Sequence, residues 1–260
     1  MKISGKISGK ISGKISGKTS GKTPGRSSGR SSAKISRRTS VRASAPRVLL
    51  LCNGEPPSPA LLRRLAGEAD MIVAADGGAN AALRSGIRAD VIIGDLDSIL
   101  PGTRKKFHDV RMVRVTRQDN TDLEKALDFI SASGPAAVAV AGATGGRIDF
   151  TIGNLSVFWK YTRALGITFV GDGWRAFPAL GRRAVNAPRG TTVSLLPFGT
   201  CGGITLRGLR YPLTDAVMRP GEIGVSNVVS TSPFSVTVRR GRMLIVIFDG
   251  AGDREGDPVW

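Results

Sequence analysis

The sequence predicts an α/β fold. A parallel sheet with helices on both faces is expected over residues 47–174, and an antiparallel β-sandwich over 175–250. Three observations predict it. Short apolar runs alternate with helix-period segments from Val48 to Gly171, the pattern of successive β–α–β units. After Gly173 the helical periods stop, and short β-rich runs separated by Gly and Pro replace them. Nearly every run in the first half ends in Gly or Asp, the composition of strand exits that carry a ligand.

The elements follow in order. Val48–Cys52 reads as a buried strand, and Pro59 opens a helix whose Leu61, Leu62 and Leu65 share one face. A second strand, 71–75, ends in Asp76-Gly77-Gly78, and a helix follows over 79–85. Val91-Ile92-Ile93 is a third strand and Pro101 starts a short helix. A fourth strand, 112–115, leads to Gln118-Asp119-Asn120-Thr121-Asp122. Thr121 and Glu124 form a capping box, and Leu123, Ala126, Leu127 and Ile130 line the helix behind it. The fifth strand, 137–141, exits to Gly142-Ala143-Thr144-Gly145-Gly146-Arg147-Ile148-Asp149, with a helix expected over 151–163 and a last strand over 167–170. Strands at 191–196, 203–206, 235–238 and 243–247 make up the second half, and the end, 251–260, is expected to fray. Trp174 reads either as core or as a stacking platform.

Composition narrows the chemistry. The net charge of +18 comes mostly from residues 1–47, which hold 13 Lys+Arg and no acid, whereas the rest holds 25 basic and 20 acidic side chains. Ile-Ser-Gly-Lys repeats four times between Ile3 and Lys18, and cations persist at a spacing of four as far as Arg42. Residues 1–46 are expected to be a disordered basic tail. It reads as a repeat expansion or as translation begun upstream of the functional start. A phosphate-binding tether and a transit peptide are the alternatives. The near-neutral body gives no case for nucleic acid as a partner. No run of 18 apolar residues exists, so no membrane span is expected. Cys52 and Cys201 are isolated, which disfavours zinc and disulfides and suits a reducing, cytoplasmic setting. His108 is the only histidine and reads as a surface residue, which disfavours Ser-His-Asp chemistry. Carboxylates, arginines and a metal ion remain for catalysis.

The centre of the chain is Ile93-Gly94-Asp95-Leu96-Asp97-Ser98. Two carboxylates at a strand exit repel each other, and a divalent cation removes that cost. Hard oxygen ligands at this spacing suit Mg²⁺ shared with phosphate, although capping of a turn would need the same residues. Asp76, Asp95 and Asp97, Asp119 and Asp122, and Arg147 and Asp149 all stand at exits of what should be one parallel sheet. Gly77, Gly78 and the 142–146 turn stand beside them. Their convergence on one rim points to a metal–polyphosphate site.

These motifs, with Ser226-Asn227 late in the chain, resemble the thiamine pyrophosphokinase family across residues 48–249. The resemblance implies transfer of diphosphate from the co-substrate ATP to the hydroxyl of thiamine, giving thiamine diphosphate and AMP. It implies a homodimer whose active sites lie between the α/β part of one subunit and the β-sandwich of the other. Asp95, Asp97 and Asp122 would hold Mg²⁺. Asp76, Gly77, Gly78, Gln118, Arg147 and Asp149 would line the nucleotide and thiamine site, and Ser226 and Asn227 would contact thiamine. Arg147 would offset charge on the transferred group, and either Asp97 or Asp119 would take the hydroxyl proton. Family members often carry His where this chain has Phe150. The rival readings are a diphosphokinase for another heterocyclic alcohol, such as a hydroxymethylpterin, and a tail-driven nucleic-acid binder.

The tail lies outside the family pattern. Deleting residues 1–44 should therefore leave kcat and KM unchanged within about twofold. Steady-state kinetics of the truncated chain check this, and a large loss would give the tail a catalytic part.

Overall fold

The computed structural model describes residues 45–222, 224–248 and 259–260. The tail expected over 1–46 therefore lies outside the described residues, except for Ala45 and Pro46.

In chain order the first half contains β1 (Arg47–Leu51), α1 (Pro59–Glu68), β2 (Met71–Ala75), α2 (Gly78–Arg84), β3 (Val91–Gly94) and α3 (Pro101–Lys106). It continues with β4 (Arg111–Arg114), α4 (Asp122–Ala132), β5 (Ala136–Ala141), α5 (Ile148–Val157), a 3₁₀ turn (Phe158–Lys160) and β6 (Leu165–Gly171). The second half contains β7 (Trp174–Val185), β8 (Thr192–Pro197), β9 (Cys201–Arg207), β10 (Leu213–Met218), β11 (Asn227–Val228) and β12 (Phe234–Phe248).

The first six strands are parallel and lie in the order β4-β3-β2-β1-β5-β6. The alternation of side chains along β1 divides the core. Leu49 and Leu51 join Leu62, Leu65 and Ile92 on one face of the sheet. Val48 and Leu50 join Leu127, Ile130, Phe158 and Phe169 on the other. Two caps fix where helices begin. Ser58 Oγ accepts from Leu61 N at 3.3 Å, with Pro59 in the first turn of α1. Thr121 Oγ1 accepts from Glu124 N at 3.2 Å at the start of α4. The Glu124 carboxylate binds Lys160.

The second half is antiparallel, as the short β-rich runs imply, but it is not built on a sheet of its own. β6 and β7 form a hairpin through Gly171-Asp172-Gly173, so β7 extends the parallel sheet and carries β12, β9 and β10 beyond it. β12 is the corner strand. Its first part pairs with β9 and its last part with β8, with a register break against β7 between Val238 and Met243. Phe177, Val193, Leu195, Ile204, Phe234 and Ile245 are buried together in the core this encloses.

Several sequence expectations change. β10 and β11 were not among the expected strands, the runs expected at 235–238 and 243–247 are one strand, β12, and the helix expected to reach 163 ends at Val157, before the 3₁₀ turn. β7 was not among the expected strands; Pro178, Gly181 and the adjacent Arg182 and Arg183 interrupt its β-type composition, and the pairing with β12 overrides it. α5 begins at Ile148 rather than at Thr151, because Gly145 and Gly146 take positive φ (80° and 63°) and complete the turn early. The frayed end does not extend to the last two residues. Val259 and Trp260 pack on the α1 side of the sheet, and the Trp260 indole donates to Glu68 Oε2 at 2.8 Å. The expectation for 251–258 falls outside the described residues. Trp174 takes the core role: its indole lies over Gly171, where a Cβ would come within 2.2 Å of it, and packs against the core of the parallel half.

Candidate active site

The chain runs from β1 outward to β4 and then returns to place β5 on the other side of β1. The edge between β1 and β5 is thus the topological switch point, where open parallel sheets form a crevice at the strand ends. A cavity of about 700 Å³ lies there. Cys52, Asn53 and Gly54 after β1 form one wall, and Gly142, Gly145 and Gly146 after β5 form the other. Backbone bonds tie the two loops together, from Gly54 N to Gly142 O at 2.7 Å and from Glu55 N to Thr144 O at 2.9 Å. α5 anchors the second loop through Asn154 Nδ2, which donates to Ala143 O at 2.8 Å in a buried position.

Beside this cavity, Asp76, Asp95 and Asp122 each offer a carboxylate oxygen, and the three oxygens lie within 4.8 Å of one another. Ionised pairs at that separation repel by on the order of 3 kcal/mol at an effective dielectric of 20. The backbone is shaped to accept this. Asp76 has φ +45° and its N–H donates to Ile93 O, which turns the carboxylate toward the end of β3. Gly94 has φ +153°, and a Cβ there would lie 2.8 Å from Asp76 Cβ and 3.2 Å from Asp122 Oδ1. Asn80 of α2 fixes the following loop, donating from Nδ2 to Ser98 O at 2.9 Å and accepting from Leu100 N at 3.1 Å.

Asp76 is 1% exposed; its Oδ2 accepts from Ser98 N at 3.3 Å, and its Oδ1 has no partner. Burial pushes its carboxyl above the usual range, and the negative charges of Asp122, Asp95 and Asp97 add to that, partly offset by the Ser98 bond. A buried carboxylate oxygen without a hydrogen-bond donor, within reach of two other carboxylates, suits a hard divalent cation. The donor set therefore fits Mg²⁺.

The remaining expected residues are placed as follows. Asp97 is exposed at the rim, accepts from Ser98 Oγ at 3.1 Å, and is not among the three clustered acids; Asp76, expected at the nucleotide, is. Gln118 and Asp119 are exposed. Arg117 grips Asp119 through Nε and Nη2 at 2.9 and 3.0 Å and holds its carboxyl below the usual range. Arg147 forks onto Asp149 in the same way and lies over the Phe150 ring, 4.6 Å from its centroid. Arg147 and Phe150 line the cavity. Gly77 and Gly78 open α2, where a Cβ would strike the Asn53 side chain and Leu51 O respectively.

Ser226 and Asn227 do not line this cavity. They border a second one of about 440 Å³ in the antiparallel half, with Tyr211, Leu213 and Met218. Ser226 has φ +59°, and its N–H donates to Ser194 Oγ at 3.2 Å. The Asn227 amide is buried and brackets Tyr211, donating to its carbonyl at 2.9 Å and accepting from its N–H at 3.0 Å. Sequence reasoning missed Asn53, Asn80, Lys125, Asn154 and Tyr211. A lone Asn, Lys or Tyr within a helical or strand period carries no motif, and nothing in the sequence brings Lys125 together with the acids it contacts.

The two halves also match known proteins. Residues 62–169 match the family model described as thiamin pyrophosphokinase, catalytic domain, and residues 183–243 match that of the thiamin pyrophosphokinase vitamin B1 binding domain. Thiamine pyrophosphokinase 1 of Oryza sativa subsp. japonica is 30% identical over 226 residues, covering 75% of this chain and 84% of that protein. The chain belongs to the thiamine pyrophosphokinase family. The family member of Bacillus subtilis (strain 168) is 25% identical over 182 residues, covering 67% of this chain and 85% of its own length. Among solved structures, thiamin pyrophosphokinase from Geobacillus thermodenitrificans has a TM-score of 0.69 at 25% identity, covering 82% of this chain and 100% of that one. The Candida albicans structure has a TM-score of 0.72 at 19% identity, covering 79% and 90%, and is a likeness of fold.

Gly94→Ala should disrupt the carboxylate cluster, because the added methyl meets two of its three members at a φ that L side chains rarely adopt. We expect a loss of about 2–3 kcal/mol in stability and at least ~100-fold in activity. Gly102→Ala in α3, where a Cβ would meet nothing within 4 Å, should be neutral or slightly stabilising. Chemical denaturation and activity of the two variants side by side check both statements.

Proposed function

We propose that this chain transfers the terminal diphosphate of ATP to the hydroxyl of thiamine, giving thiamine diphosphate and AMP. The observation that carries the reading is the clustering of Asp76, Asp95 and Asp122 beside a glycine-walled cavity at the switch point. The match of both halves to models of the same family supports it, and the vitamin B1 binding description of the second model favours thiamine over another heterocyclic alcohol.

In this reading the cavity holds the nucleotide. The N–H groups of the 142–146 turn and the start of α5 present a concavity of donors to the polyphosphate. Asp95 and Asp122 hold magnesium, with Asp76 on the floor and Asp97 at the rim. Bound there, magnesium neutralises phosphate charge and polarises the phosphoryl oxygens. Arg147 sits at the cavity wall with its guanidinium already oriented by Asp149 and Phe150, placed to offset charge on the transferred group. Attack by an alcohol on the middle phosphorus demands in-line placement more than covalent help. Of the two candidates for the hydroxyl proton, Asp119 is the weaker base, because Arg117 stabilises its ionised form. Asp97 is therefore the proposed acceptor.

Thiamine binding is assigned to the antiparallel half, at the second cavity. Ser226 and Tyr211 face it, and Asn227 acts by bracketing Tyr211. The two cavities share no lining residue. A homodimer that apposes the second cavity of one subunit to the first cavity of the other would unite them. Ile148, Phe150 and Ile152 of α5 are exposed apolar side chains beside the first cavity, and suit burial against a second copy. A cytoplasmic setting agrees with the free thiols of Cys52 and Cys201.

AMP release measured in a coupled assay should require thiamine, ATP and Mg²⁺ together; release without thiamine, or none with it, contradicts the reaction. Asp97→Asn and Asp122→Asn should each lower kcat by at least ~1,000-fold while far-UV CD stays native.

Co-refolding inactive Asp122→Asn with inactive Ser226→Trp chains should restore roughly a quarter of wild-type activity, since half of the dimers would be mixed and each would carry one intact composite site. Complete lack of recovery in a verified mixed dimer would place each site within one subunit.

A further inference from the structure

Lys125 lies in the first turn of α4, three residues after Asp122, and its side chain is only 3% exposed. Its Nζ donates to Asp122 Oδ1 at 2.9 Å and stands 3.8 Å from Asp95 Oδ2. Asp122 lines the cavity and Lys125 does not, so the ammonium approaches the carboxylates from behind. An ion pair at this spacing on a helix surface is a weak interaction and does not account for burying an ammonium. Elsewhere along α4 one partner of each pair reaches the surface: Glu124 binds the exposed Lys160, and the exposed Asp128 accepts from Tyr161.

A second observation bears on the same cluster. Asp76 Oδ1 is buried and has no donor, while Lys125 serves Asp122 and Asp95 on the far side. The fully ionised trio carries three negative charges and the tethered ammonium supplies one positive charge. The remainder equals the charge of one divalent ion, and the orphaned oxygen marks where donors are lacking.

We propose that Lys125 is a built-in second cation of the carboxylate trio: it fixes Asp122 and Asp95 from behind and leaves the site with the charge and the space for a single divalent ion. It is a positioning residue, since it acts through the two aspartates and does not border the cavity. The proposal rests on the magnesium reading above and adds to it the number of ions and the residue that sets that number.

The test counts Mn²⁺ on the full chain without nucleotide, by equilibrium dialysis, and follows Tm with and without Mn²⁺ in wild type, Lys125→Met and Lys125→Arg. Wild type should take about one Mn²⁺ per chain. Metal-free Lys125→Met should melt about 10 °C lower, because three acids lose their internal cation. Saturating Mn²⁺ should close at least about half of that gap, with occupancy rising toward two, because metal then fills the ammonium's position. Lys125→Arg should keep one ion and a Tm response to Mn²⁺ like that of wild type. A gap of the same size with and without Mn²⁺ would make Lys125 a structural ion-pair partner and overturn the proposal, as would two ions on wild type or on Lys125→Arg. If Lys125→Met does not fold, the counts on wild type and Lys125→Arg decide. Wild type that binds no Mn²⁺ would sink the magnesium reading itself, an outcome distinct from one bound ion with a metal-independent gap.

Discussion

The structure depends on holding three carboxylates at one sheet edge closer together than water would permit. Asp76, Asp95 and Asp122 come from the exits of β2 and β3 and from the first turn of α4, and their oxygens lie within 4.8 Å of one another. Each pair costs kilocalories when ionised. The cost is met by local devices. Positive φ at Asp76 and the missing side chain of Gly94 allow the approach, the Asn80 amide holds the loop, and a buried lysine stands behind two of the acids. A chain selected for stability alone would not assemble this set. Its presence at the switch point of the sheet is the physical reason to read the edge as a site for a charged ligand.

Much of this edge was legible in the sequence, because parallel strands must share an exit edge once their alternation with helices is recognised. Asp76, Asp95, Asp97, Asp122 and Arg147 could be placed on one rim from spacing alone. The depth of each residue could not. Asp76 and Asp97 are both acids beside a strand end, yet one is 1% exposed and clustered while the other stands at the rim. That difference arises from one backbone angle at Asp76 and from the packing of the 95–100 loop on Asn80, neither of which leaves a periodic trace. Lys125 was hidden for a related reason. A lysine inside an amphipathic helix reads as solvated surface unless its counter-charges, which lie 30 residues upstream at Asp95 and one turn away at Asp122, are already known to surround it.

The second half shows the opposite balance. Its class followed from short β-rich runs, but its connection to the first half did not, because Pro178, Gly181 and two arginines concealed β7. That strand is the mechanical link between the halves. It is hydrogen-bonded to β6 on one edge and to β12 on the other, so the glycine-walled cavity and the Tyr211 cavity are attached to one continuous sheet. The two-copy site proposed above requires this continuity, since any hinge between the halves would blur the distance between the two cavities.

Arg147 illustrates how the site reconciles charge with access. Its guanidinium is held by Asp149 and faces the Phe150 ring, yet both partners are exposed and the arginine itself borders the cavity. An exposed fork of this kind contributes little to stability. Its value is geometric: the planar cation is pre-oriented, and exchanging a carboxylate for a phosphate oxygen changes its partner without changing its chemistry. The support beneath that cation is the apolar ring face of Phe150, which attracts the guanidinium through its quadrupole and offers no acceptor to compete for it.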